Sequence, residues 1–110
     1  MIEDSLAQLD SVIKKIEAAA PPNKDVLLRL MKELRKEMLR LDLAQHDQAA
    51  SVARFADAAA HESTRPTRVA SLRKLALDGL AQSVSGFEKS HPRLVETIGE
   101  IGRELSSLGI

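Results

Sequence analysis

Glu88-Lys89-Ser90-His91 sets a carboxylate and an imidazole three positions apart, a spacing that points both groups the same way on a helix. Di-iron bundles use E-x-x-H in this way, but they need two copies of it and two further carboxylates. The other histidines, His46 and His61, have Leu43 and Ala58 at the matching position, so the chain holds no second copy. A symmetric dimer could supply one, with Glu37 as a core carboxylate. Asp42 with His46, and Asp57 with His61, are i,i+4 pairs that could hold a metal or orient an imidazole. Exposed helix pairs of this kind are common and weak, so a solvated face is the plainer reading. Nothing resembles a nucleophile elbow, a P-loop, a dinucleotide fingerprint or a zinc motif, and no spacing of Ser and His assigns a triad. The expectation is no catalytic activity, no bound metal and no cofactor.

Two further groups carry charge in telling places. His91 is the one polar residue in a long apolar seam, where its protonation would put a charge into packed side chains. The alternative makes Ser90-His91-Pro92 a helix start with a partly solvated imidazole. Arg65, Arg68, Arg73 and Lys74 fall within Ser63 to Leu77, a stretch with no acid. They are candidate contacts for phosphate or an acidic partner, or simply a solvated basic surface.

Composition narrows the classes. The 16 basic and 16 acidic residues cancel, which speaks against a nucleic-acid binder. Phe55 and Phe87 are the only aromatics, so base-stacking platforms are nearly excluded. There is no Cys, which fits a reducing compartment, and no apolar run long enough to span a membrane. The acidic start, Met1-Ile2-Glu3-Asp4, is unlike a signal peptide, so a cytoplasmic location is expected.

The elements that must position these residues read as helices. Ile2, Leu6, Leu9, Ile13, Ile16 and Ala20 recur at spacings of three and four, giving a helix over about 4–20 that Pro21-Pro22 ends. Asn23 is placed to cap a second helix, which meets no Gly or Pro before Pro66 and reads as 24–62. If continuous, it is roughly 57 Å long. A break near Asp42 to Asp47 is the alternative. The step from Leu27 to Met38 looks like a stutter in a heptad repeat. Residues 44–60 are Ala-rich, with only Val52 and Phe55 large, and so look weakly anchored. A loop over 61–67 follows, and Thr67 is placed to cap a helix over 68–90. From Leu77 the seam runs Leu80, Val84, Phe87, His91, Leu94, Ile98, Ile101, Leu105, Leu108, and its unbroken register across Pro92 predicts a nearly collinear helix over 92–108. Gly99 and Gly102 inside that helix suggest close approach of a neighbour or a loosened helix.

The stretch Phe87-Glu88-Lys89-Ser90-His91-Pro92-Arg93-Leu94, with Leu105-Ser106-Ser107-Leu108-Gly109-Ile110 after it, resembles a small bacterial family known only as a domain of unknown function. Its members carry an F-E-x-S-H-P-x-L … L-x-x-L-G-I signature. The likeness covers roughly residues 80–110, and this chain looks longer than usual within 42–65. The resemblance implies a helical fold and a bacterial cytosolic setting, and brings no activity, cofactor or catalytic residue.

Together these features predict one all-α domain over 1–110, an antiparallel, coiled-coil-like hairpin of two long helices plus a shorter N-terminal helix. Around Val52, Phe55, Val69 and Leu72 only two helices would meet, so a second subunit or a ligand is expected to cover them. The candidate helix-packing or oligomer interface comprises Val52, Phe55, Val69, Leu72, Leu77, Leu80, Val84, Phe87, His91, Leu94, Ile98, Ile101 and Leu105. Periodicity alone does not separate intramolecular core from interface. The expected role is a self-associating interaction or scaffold module, with another helical protein as a possible partner. A polyanion-binding module using residues 65–74 is the alternative.

Overall fold

We describe residues 2–108 from a computed structural model of the chain. They form five α-helices: α1 (Ile2–Ala19), α2 (Lys24–Leu39), α3 (His46–Thr64), α4 (Ala70–Gln82) and α5 (Pro92–Ser107). A single 3-10 turn, Leu43–Gln45, leads into α3. No helix is long and apolar enough to cross a membrane among these residues.

The all-α bundle follows from the apolar stripes, but the two long helices do not form. The longest dimension of the molecule is 38 Å, too short for the roughly 57 Å rod that a continuous 24–62 helix would make. The chain instead breaks between Leu39 and Leu43. Asp42 turns extended, with ψ 159°, and its backbone N–H donates to Gln45 Oε1 at 2.9 Å, which starts the next helix. The apparent stutter is no stutter either. Leu27, Leu30, Met31, Leu34 and Met38 are all buried, the broad stripe of a straight helix on a globular core rather than a narrow coiled-coil seam.

The second long helix is also divided. α4 stops at Gln82, and Gly86 then takes φ +97°, a conformation that glycine adopts without a Cβ penalty. Phe87 buries its ring, and Glu88 Oε1 accepts the Gly86 N–H at 2.8 Å. His91 sits at the N-cap with φ −139°, as the residue before a proline must leave the helical region, and Pro92 opens α5. The F-E-x-S-H-P-x-L segment is therefore a chain reversal. The continuous seam from Leu77 to Leu108 lies on two antiparallel helices, not on one nearly straight one. The start of α4 differs as well. Val69, not Thr67, holds its N-cap, with no side-chain cap bond, so the connecting loop is 65–69.

The ties between helices give their directions. Arg35 on α2 reaches Asp10 on α1, antiparallel to it. Asn23 at the start of α2 donates to the Glu104 carbonyl at 2.9 Å near the end of α5, while Arg93 at the start of α5 reaches Glu33 at 3.0 Å. Asn23 thus ties α2 to α5 instead of capping α2 with its side chain. Gln48 at the start of α3 donates to the Ser83 and Ser85 carbonyls just past α4. Arg73 at the start of α4 donates to the Ser106 carbonyl at 3.0 Å. So α1, α3 and α5 run one way and α2 and α4 the other.

α3 is the hub, packing on α1, α4 and α5. It buries Ala49, Val52, Ala53, Ala56, Ala59 and Ala60. The Ala-rich segment is therefore the centre of the bundle, because small side chains let three neighbours come close. α4 lies in the groove between α3 and α5 and buries only Ala76 and Leu80.

Candidate functional site

Leu39 and Leu43 are exposed at the break between α2 and α3, and Val26 near the start of α2, while the other exposed large apolar side chains, Phe55, Val69, Leu72 and Leu75, gather along α4. Its helical phase turns Ala76 and Leu80 inward, sets Leu72, Leu75 and Gly79 on the flank toward α3, and sets Leu77 and Ala81 on the flank toward α5. On the first flank Leu75 is 68% exposed, Leu72 43% and Phe55 of α3 40%. Val69, at the N-cap of α4, is exposed as well. Gly79 is what lets Phe55 lie there, since a Cβ at that position would run into its ring. The glycine seats one edge of the phenyl ring against α4 and leaves the rest toward solvent.

The expected interface residues divide between core and surface. Val52, Leu80, Val84, Phe87, Leu94, Ile98, Ile101 and Leu105 are all buried inside this one chain. Leu77 is partly buried beside α5. His91 is half-buried, its ring edge-on to Phe87 with centroids 5.8 Å apart, and its Nε2 lies 3.3 Å from Gln45 Oε1. Phe55, Val69 and Leu72 remain at the surface. Leu75 joins them, and its signal was in the sequence: it follows Leu72 by three, on the same helical flank.

All four candidate polyanion contacts are engaged. Arg65 pairs with Glu62 at 3.2 Å, and Lys74 with Asp78 at 2.8 Å. Arg68 donates to the Leu108 carbonyl and Arg73 to that of Ser106. These last two bonds have a simple origin. α1, α3 and α5 all end at one end of the bundle, so three negative dipole ends converge there, and cations belong beside them. Arg68 and Arg73 thus answer the protein's own backbone, and Arg65 and Lys74 answer neighbouring carboxylates.

Of the groups considered for metal chemistry, the Asp57–His61 pair and Glu37 are engaged elsewhere, while the buried Nδ1 of His46 has no hydrogen-bond partner. Asp57 accepts from Lys15 and from Gln8 Nε2, both on α1, rather than from His61. His61 faces Glu62 at 3.9 Å. Glu37 is buried against Arg40 at 3.4 Å. Among the described residues no three His, Asp or Glu side chains converge as a metal site. Two exposed cations are held above their ordinary pKa by a hydrogen-bonded carboxylate: Lys74 by Asp78, and Arg93 by Glu33.

No family model, curated protein or solved structure matches this chain.

Proposed function

We propose that this protein is a helical self-association module, without catalytic activity, that pairs through the α3/α4 face. The observation that carries this reading is the uncovered cluster of Phe55, Leu72 and Leu75, with Val69 at its end. Contiguous exposed leucine and phenylalanine side chains lose hydration cost when covered, at about 25 cal/mol per Å². A two-fold dimer is the simplest way to cover them, because one self-complementary patch then serves both subunits. In such a dimer α4 would lie against the partner's α4. The Cys-free composition fits a cytosolic setting for it. The likeness of residues 80–110 to a bacterial family belongs to the same reading, with Phe87, His91 and Pro92 building the α4–α5 reversal. Gly109 and Ile110 of that signature lie outside the described residues. The polyanion alternative has no support in the geometry, since each of its four cations already has a partner.

Light scattering with refractive-index detection tests the proposal, because a chain without Trp or Tyr barely absorbs at 280 nm. The wild type should run as a dimer, and Leu72→Asp with Leu75→Asp should give a monomer of unchanged helicity. Ile98→Asp, in the core, should unfold the chain instead. A wild type that stays monomeric at every concentration sinks the reading.

A further inference from the structure

The opposite flank of α4 borders a groove of about 640 Å³ that runs between α4 and α5. Leu77, Leu80 and Val84 form one wall, and Val95 and Ile98 the other. A volume of this size falls within the range of about 300–1,000 Å³ that small-molecule sites occupy.

The floor of the groove is cut by two glycines with no structural reason to be there. Gly99 and Gly102 sit inside α5, where each costs about 1 kcal/mol against alanine. Close helix packing does not explain them. A Cβ at Gly102 would meet nothing within 4 Å, and one at Gly99 would touch only the Arg103 guanidinium at 3.5 Å. Their effect is to keep the groove open.

The groove is also polarised along its length. Val84 and Val95 make one end apolar, while Arg103, Ser106 and Ser107 make the other polar. Arg103 folds back over Gly99 and makes no ion pair among the described residues. The acid on the rim, Asp78, is already held by Lys74 at 2.8 Å. An apolar channel with a guanidinium that lies over it at Gly99, making no ion pair among the described residues, is complementary to an alkyl chain that ends in a carboxylate.

We propose that the α4/α5 groove binds a free medium-chain fatty acid, its tail along Leu77 and Ile98 and its carboxylate on Arg103. The proposal does not depend on dimerisation, because the two surfaces lie on opposite flanks of α4.

Isothermal titration with decanoate, and with decanol as the uncharged control, tests it. Wild type should bind one decanoate per chain. Gly102→Leu narrows the groove from a position whose Cβ meets nothing within 4 Å and removes a helix-weakening glycine, so it should melt no lower than wild type while binding decanoate about tenfold or more weakly. Arg103→Gln should weaken decanoate by about tenfold and leave decanol unchanged. The monomeric Leu72→Asp/Leu75→Asp variant should bind as the wild type does. Absence of decanoate binding by the wild type, or unchanged binding by Gly102→Leu, overturns the site. Equal losses for acid and alcohol in Arg103→Gln overturn the carboxylate assignment. Loss of binding in the Leu72→Asp/Leu75→Asp variant places the ligand on the α3/α4 face and overturns the groove.

Discussion

α3 and α4 lie against each other, yet their compositions and positions are inverted. α3 is built on alanine and occupies the middle of the bundle, touching three other helices. α4 carries Leu72, Leu75, Leu77 and Leu80 and lies at the periphery, with only Leu80 of the four buried. Large apolar side chains bury more area, but they also hold backbones apart. A helix with neighbours on three sides needs short side chains on each of them, and alanine supplies these while favouring the helix. A helix resting in a groove needs only a narrow inward stripe, here Ala76 and Leu80, and its other leucines are free to serve elsewhere. Apolar content therefore indicates what a helix can bury, not where it sits.

The most severe way to break this contrast is to exchange the side-chain sizes. Ala56→Leu on α3 adds three heavy side-chain atoms to a site with 1% exposure, and should cost about 1–3 kcal/mol or more by overpacking. Leu75→Ala on α4 removes a much-exposed side chain and should change monomer stability by about 0.5 kcal/mol or less. Urea titrations of both variants in a Leu72→Asp background, where one charge in the exposed patch is expected to suffice against pairing, give the comparison directly. Equal effects would remove the distinction between hub and periphery.

A smaller effect is expected where the two helices cross. Gly79→Ala gains about 1 kcal/mol of helix propensity but drives a methyl group into the Phe55 ring. The net should be destabilising by about 1 kcal/mol in the native chain. In a Phe55→Ala background the clash is gone, so the same change should stabilise by about 1 kcal/mol. A double-mutant cycle from thermal melts measures this reversal, and additivity within error would show that the ring is free to swing away.

Much of this was legible in the sequence, and what was missed has definite causes. The stripes on Ile2 to Ile16, on Leu27 to Met38 and on Leu94 to Leu105 each lie on a helix that turns them to the core, whereas Ala20 falls past the end of α1, exposed and with φ 46°. The reversal before Pro92 was hidden, and the break near Asp42 to Asp47 was only the alternative to a continuous helix. Asp42 and Gln45 start a helix through one backbone-to-side-chain bond, a local signal that sits inside a stretch with no Gly or Pro to announce a break. Val84 and Phe87 keep heptad spacing although they belong to a turn, because both are pulled into the core from the loop. Periodicity reports which residues face inward and is silent on which way the chain is running. The candidate surface was half visible for the same reason. Phe55, Val69 and Leu72 were identified, but so were Val52 and Ile98, and only the docking of α4 separates the two groups.

The gentlest test concerns how each helix uses charge. Asp57 on α3 accepts from Lys15 and Gln8 and so ties α3 to α1, whereas Asp78 on α4 pairs only one turn back, with Lys74. Asp57→Asn should therefore cost about 1 kcal/mol, and a guanidinium melt should resolve it. Asp78→Asn breaks an exposed local pair, whose contribution is small and screened by salt. Its signature is in the pH dependence. Asp78 raises the Lys74 pKa above its ordinary value of 10.5 in the folded chain, so the folded state holds that proton more tightly. The stabilisation is thus fully present below the ordinary lysine value and is lost as pH rises through the folded one. Melting temperatures of wild type and Asp78→Asn should differ slightly and evenly from neutral pH up to that range, then converge above it. A difference that persists undiminished at higher pH would mean that Asp78 supports α4 by some means other than its pair with Lys74.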